Sequence, residues 1–125
     1  MPRTLIVTND FPPRRGGIQS FVHALATGLP AGTVTVYAPA WKGAAEFDDR
    51  QPFPVIRHPT SLMLPVPAVS RRAAAIAREH DCDVVVGFSH GATVALEMVL
   101  SGLFRGPIVI SVTISRQPAF ARACT

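Results

Sequence analysis

At 125 residues, with 48% hydrophobic and 16% charged residues, the chain holds enough apolar material for one core and too little length for two ordinary domains. Twelve Lys and Arg against eight acids give a formal charge of +4, yet eleven of the twelve are Arg, scattered singly or in the pairs Arg14/Arg15 and Arg71/Arg72. Without a basic run or aromatic interleaving, nucleic acid is excluded as the expected partner, and a mild bias toward phosphates and lipid headgroups remains.

The short apolar run LIV near the N-terminus is far below a secretory h-region, and no apolar stretch reaches the length of a membrane span. A cytoplasmic protein is the expectation. Cys82 and Cys124 have neither CxxC spacing nor neighbouring ligands and read as reduced thiols. The four His residues are isolated from one another, so neither a metal nor a cofactor is expected.

In chain order, TLIVT at 4–8 is a β-branched run bounded by Asn-Asp and Pro-Pro, which suits a strand buried on both faces. From Ile18 the apolar positions Ile18, Phe21, Val22, Leu25 and Leu29 recur at helical spacing until Pro30. TVTVYAP at 33–39 alternates as a second strand, and the stretch from Trp41 to Pro52 reads as loop. PVIRH at 54–58 predicts a third strand, followed by the Pro-punctuated link PTSLMLPVP. Pro67 fits the first turn of a helix through VSRRAAAIAREH, where its missing N–H costs nothing. DVVVGF, the apolar helix ATVALEMVL and PIVISVTI at 107–114 complete the series.

Strands alternating with helices at this spacing predict an α/β fold, a Rossmann-like three-layer sandwich around a mainly parallel sheet of about five strands. In such sheets ligands collect at the carboxyl ends of the strands. Two loops fall there. In the first, PPRRGGIQ, Gly16 and Gly17 lack the β-carbons that would hold an anion off the backbone N–H groups, and the following helix adds its positive end. That pattern fits a diphosphate cradle or, more commonly, a tight turn requiring positive φ. Arg14 and Arg15 are placed to pair with phosphate, or simply to be solvated.

The second loop, GFSHG at 87–91, matches G-x-S-x-G in a strand-turn-helix setting and resembles the nucleophile elbow of an α/β-hydrolase. Ser89 would be the catalytic nucleophile of that alternative, a serine esterase. A serine nucleophile needs a His base and an acid, which follow it in hydrolase order. Beyond His90 there is no His, and Glu97 is the one acid, so Ser89 is expected to lack activation and to serve as a hydroxyl in a tight turn.

The stretches LIVTNDFPPRRGGIQSFVHALATGLP, VYAPAWKGAAEFD and FPVIRHPTSLMLPVPAVSRRAAAI carry a more specific likeness, covering roughly residues 3 to 78. They resemble the N-terminal domain of retaining glycosyltransferases built from two Rossmann domains, above all the actinobacterial mannosyltransferases of phosphatidylinositol mannosides. The resemblance implies that Gly16, Gly17, Ile18 and Gln19 approach the diphosphate of a nucleotide sugar, GDP-mannose. It further implies a phosphoinositide-type lipid acceptor on the side of Arg14, Arg15, Leu62 and Met63, with peripheral contact at the inner membrane face. Leu62, Met63 and Leu64 read equally as core filling.

Those enzymes carry a His-containing motif where this chain has VISVTISRQ at 109–117. The expectation is therefore one Rossmann-like domain over 1–125, glycosyltransferase-like over 1–80 and hydrolase-like over 81–125, a fragment or fusion joined near 78–84. As transfer in that family closes two domains around the donor, little turnover is expected from the isolated chain, and a non-catalytic remnant is the further alternative.

Overall fold

The computed structural model describes residues 2–111. Five strands, β1 (Thr4–Thr8), β2 (Val34–Pro39), β3 (Val55–His58), β4 (Val84–Phe88) and β5 (Ile108–Ser111), alternate with four helices, α1 (Gly17–Gly28), α2 (Ala44–Asp49), α3 (Pro67–Glu79) and α4 (His90–Leu100). The strands form one sheet in the order β3-β2-β1-β4-β5, with every neighbouring pair parallel. This is the Rossmann-like α/β sandwich that the alternation predicts.

Side chains along a strand point alternately to opposite faces, and the core divides accordingly. Leu5, Val7, Tyr37 and Val85 meet Val69, Ala73 and Ile76 of α3 and Val94, Ala95 and Met98 of α4. Ile6, Val36, Ala38 and Phe88 face the other way, onto Val22 and Ala26 of α1 and onto Phe11 and Phe53. Each of Leu5, Ile6 and Val7 is fully buried. Burial of such side chains stabilises a fold by about 1.5–3 kcal/mol apiece, which makes β1 the centre of both layers.

Local sequence explains the element ends. α3 begins with Pro67 at its first position, and α1 ends at Gly28 before Pro30. In α1 the inward stripe holds Val22 and Ala26, while Phe21 stands at its margin, 60% exposed and edge-on to Phe88. β2 is buried at all six positions, Thr35 included, so its alternation marks two core faces rather than a wet one.

The stretch expected to be loop from Trp41 to Pro52 contains α2. Six residues are too few to display a helical period. Gly43, at φ 83°, takes the left-handed conformation that starts this helix, and Phe47 docks edge-on to Phe11 at 5.9 Å. The fifth strand begins at Ile108, one residue after its expected start, and is described to Ser111; its expected positions 112–114 and Cys124 lie outside the described residues.

The chain runs outward from β1 through β2 to β3, then returns through the 59–66 link and α3 past β1 to β4. Strand order therefore reverses between β1 and β4, and the crevice outside their carboxyl ends is where an open α/β sheet takes its ligand.

Candidate functional site at the strand-order reversal

Two loops leave the sheet at this crevice. The first follows β1, where the buried Thr8 hydroxyl donates to the Asp10 carbonyl at 3.1 Å and accepts from the Asp10 N–H at 3.0 Å. That turn projects the Asp10 side chain across the reversal. The Asn9 side chain, also buried, accepts from the Met63 N–H at 2.8 Å and pins the 59–66 link to the same loop.

Arg57 fixes the loop from the other side. Its guanidinium donates twice to Asp48 of α2, at 2.7 and 3.0 Å, and also to the carbonyls of Pro12 at 2.7 Å and Pro39 at 3.0 Å. A two-point pairing of this kind is geometrically specific and stronger than a neutral hydrogen bond. Beside it, the Tyr37 hydroxyl lies 3.3 Å from His58 Nδ1. Burial pushes the Tyr37 phenol up, against an opposing pull from Arg72, and burial holds His58 below its ordinary value, so both groups stay neutral near pH 7.

Asp10 is the centre of the site. Its Oδ2 accepts from the Ser89 hydroxyl at 2.5 Å, its Oδ1 accepts from Gln19 Nε2 at 3.3 Å, and Arg14 stands 3.9 Å from Oδ1. The carboxylate thus joins the β1–α1 loop, the first turn of α1 and the turn opening α4. The helix α1 starts at this place with no side-chain cap and no acid in its first turn. Its first N–H groups have no intrahelical acceptor and carry the positive end of the helix dipole. A β-carbon on Gly17 would meet nothing within 4 Å, so the backbone there is open to a ligand. At Gly16 a β-carbon would collide with the Gln19 carboxamide.

The expected site residues distribute as follows. Gly16, Gly17 and Gln19 come together at the crevice, with the Gln19 side chain buried and turned back to Asp10. Arg14 is there as well, its guanidinium 5.2 Å from the Trp41 ring, while Arg15 is exposed. Leu62 is exposed at 44%, whereas Met63 is completely buried in the core and presents nothing to an acceptor. Sequence reasoning passed over Asp10, Asn9 and Arg57. An acid at the carboxyl end of a central strand was the available signal for Asp10.

Ser89 does sit on a strained elbow, at φ 56° and ψ −126°, at the start of α4. Its glycines have packing reasons. A β-carbon on Gly87 would strike the Gly91 carbonyl and Ala92 Cα, and one on Gly91 would strike the Val7 carbonyl of β1. The hydroxyl donates to a carboxylate, not to an imidazole, and a serine–carboxylate pair lacks the His that takes the proton in hydrolysis. The cavities of about 340 Å³ beside Cys82 and Phe104 and about 180 Å³ beside Gly32 and Phe53 lie at the opposite rim, by the amino ends of the strands.

A parallel sheet reversing at β1 and β4, with the uncapped start of α1 at the crevice, defines a Rossmann-like domain. The family model for Glycosyltransferase Family 4 matches residues 15–113, and the chain belongs to that family. The matched span includes GFSHG and both sides of residues 78–84, and it does not favour the hydrolase alternative.

The chain is 51% identical over 96 residues to a GDP-mannose-dependent alpha-(1-6)-phosphatidylinositol monomannoside mannosyltransferase of Mycolicibacterium smegmatis, covering 74% of this chain and 25% of the relative. To the Mycobacterium tuberculosis protein of the same name it is 48% identical over 102 residues, 77% of this chain and 26% of the relative. A Corynebacterium glutamicum GDP-mannose-dependent monoacylated alpha-(1-6)-phosphatidylinositol monomannoside mannosyltransferase is 40% identical over 96 residues, 75% and 25% of the respective chains. The chain spans about a quarter of the length of these curated relatives. Among the described residues, no helix is long and apolar enough to cross a membrane.

Proposed function

We propose that this chain forms part of a mannosyltransferase that uses GDP-mannose and a phosphatidylinositol mannoside acceptor, and that its β1–α1 loop contacts the donor diphosphate. The observation that carries this reading is the uncapped start of α1 with open backbone at Gly17, placed at the strand-order reversal. The relatives' names supply the sugar nucleotide and the acceptor. Diphosphate oxygens would take the N–H groups of Gly17, Ile18 and Gln19, with Gly16 giving the chain its extended entry and the Gln19 side chain holding Asp10.

The acceptor lies along the same rim, where Arg14 and Arg15 offer charge to a lipid phosphate and the exposed Leu62 and Leu64 offer apolar contact to acyl chains. The contact with the bilayer is peripheral, at the cytoplasmic face.

Nuclear magnetic resonance titration of the 125-residue chain with GDP and with pyrophosphate tests the cradle. Both ligands are expected to shift the amides of Gly16 to Gln19. Gly17→Pro removes one donor at a helix position that tolerates proline and should weaken pyrophosphate about tenfold, as for loss of one hydrogen bond to a charged group. Shifts confined to other parts of the chain would refute the assignment.

A further inference from the structure

The strained backbone of Ser89 and its bond to Asp10 have no part in the anion cradle itself, and they invite a physical account. A non-glycine residue at φ 56° and ψ −126° persists only where its surroundings enforce it, and such strain gathers at functional sites. The conformation aims the hydroxyl across the reversal at Asp10 Oδ2, while Gln19 holds Oδ1. Asp10 is also the one acid in the loop that leads into α1, whose own first turn contains none. Gln19, in that first turn, touches the carboxylate, so Asp10 lies within one side chain of the free N–H groups.

A carboxylate at a helix start is a strong cap, and it would compete with any anionic ligand for the same donors. We propose that Ser89 is a positioning residue that holds the Asp10 carboxylate away from the start of α1, so that the N–H groups of Gly17 and Ile18 stay available to a phosphate-bearing ligand. The inference rests on the diphosphate reading above. It adds an electrostatic restraint spanning the two loops of the crevice, exerted by a residue that touches no ligand.

The experiment uses the full chain with pyrophosphate as probe and four forms of the protein: wild type, Ser89→Ala, Ser89→Ala with Asp10→Ala, and Ser89→Gly. Without the hydroxyl, the carboxylate is released toward α1. Ser89→Ala is expected to weaken pyrophosphate by roughly two- to tenfold, the scale of one capping interaction. Adding Asp10→Ala should restore affinity to the wild-type level or above, because no carboxylate is left to compete for the N–H groups. A residue serving only to stabilise the turn would show no such rescue.

Ser89→Gly loses the same hydroxyl at a backbone conformation that glycine accepts, so it reports the effect should the alanine form fold poorly. A ligand-free arm follows hydrogen exchange at the Gly17 and Ile18 amides. Their protection should rise in Ser89→Ala and Ser89→Gly and fall again with Asp10→Ala. If wild type fails to bind pyrophosphate, the diphosphate reading is lost and this arm alone decides the role of Ser89. Unchanged exchange in both hydroxyl-free variants, or weakened binding that Asp10→Ala leaves unrelieved, overturns the proposal.

Discussion

Gly91→Ala isolates the reason for the glycine that closes GFSHG. The added methyl would collide with the Val7 carbonyl and lie 3.0 Å from the Thr8 nitrogen, both in the backbone of the central strand. Neither can rotate aside, so α4 must retreat from β1 by about 1 Å or more in an interior with no spare volume. Overpacking alone costs about 1–3 kcal/mol, and retreat also loosens Val94, Ala95 and Met98, each fully buried against β1 and α3. A loss of about 3–5 kcal/mol is expected, a large share of the roughly 5–15 kcal/mol that holds a domain. In urea denaturation, with a slope near 1.5 kcal/mol/M, the midpoint should fall by about 2 M or more. Gly28→Ala, where a β-carbon meets nothing within 4 Å, is the control and should stay within about 0.5 kcal/mol of wild type. A Gly91→Ala loss below about 1 kcal/mol at unchanged slope would refute close helix–strand packing as the origin of this glycine.

Arg57→Met should lower stability by about 3 kcal/mol, since it leaves the largely buried Asp48 unpaired and frees the Pro12 carbonyl; thermal unfolding and exchange in residues 10–16 would register both effects. Met63→Ala should cost about 2–5 kcal/mol and Leu62→Ala about 0.5 kcal/mol or less, a contrast readable in denaturant midpoints. His58 is held below 6.5 by burial, so the unfolded chain takes up the proton first as pH falls. Stability should therefore be full above about pH 6.5 and decline below it, and His58→Gln should flatten the slope of melting temperature between pH 7.5 and 5.5.

The alternation of apolar strands and periodic helices was legible because β1 and β4 lie in a sheet covered on both faces, where continuous β-branched runs are required. α2 was hidden because a single turn and a half carries no period, and its helix start rests on the left-handed Gly43. GFSHG was legible as a shape, while its glycines answer to contacts with Val7 and Ala92 that no local pattern displays. Asp10 could not be read as a hub, since Ser89 stands 79 residues away and Gln19 nine. Leu62 and Met63 look equivalent in the sequence; the Asn9 side chain, by holding the Met63 N–H, accompanies the choice of which one turns inward. Arg57 gave no signal as a lone cation at a strand end, because its meaning lies in the two carbonyls and the carboxylate that converge on it.

The placement of Arg14 between Asp10 and the Trp41 ring gives the molecule an optical property of its own. Trp41 is the one tryptophan in the sequence, and a guanidinium resting against its face sets the local field that the excited indole senses. Whatever draws Arg14 off the ring changes the colour and yield of the emission, so the unlabelled chain signals the state of its front loop in light.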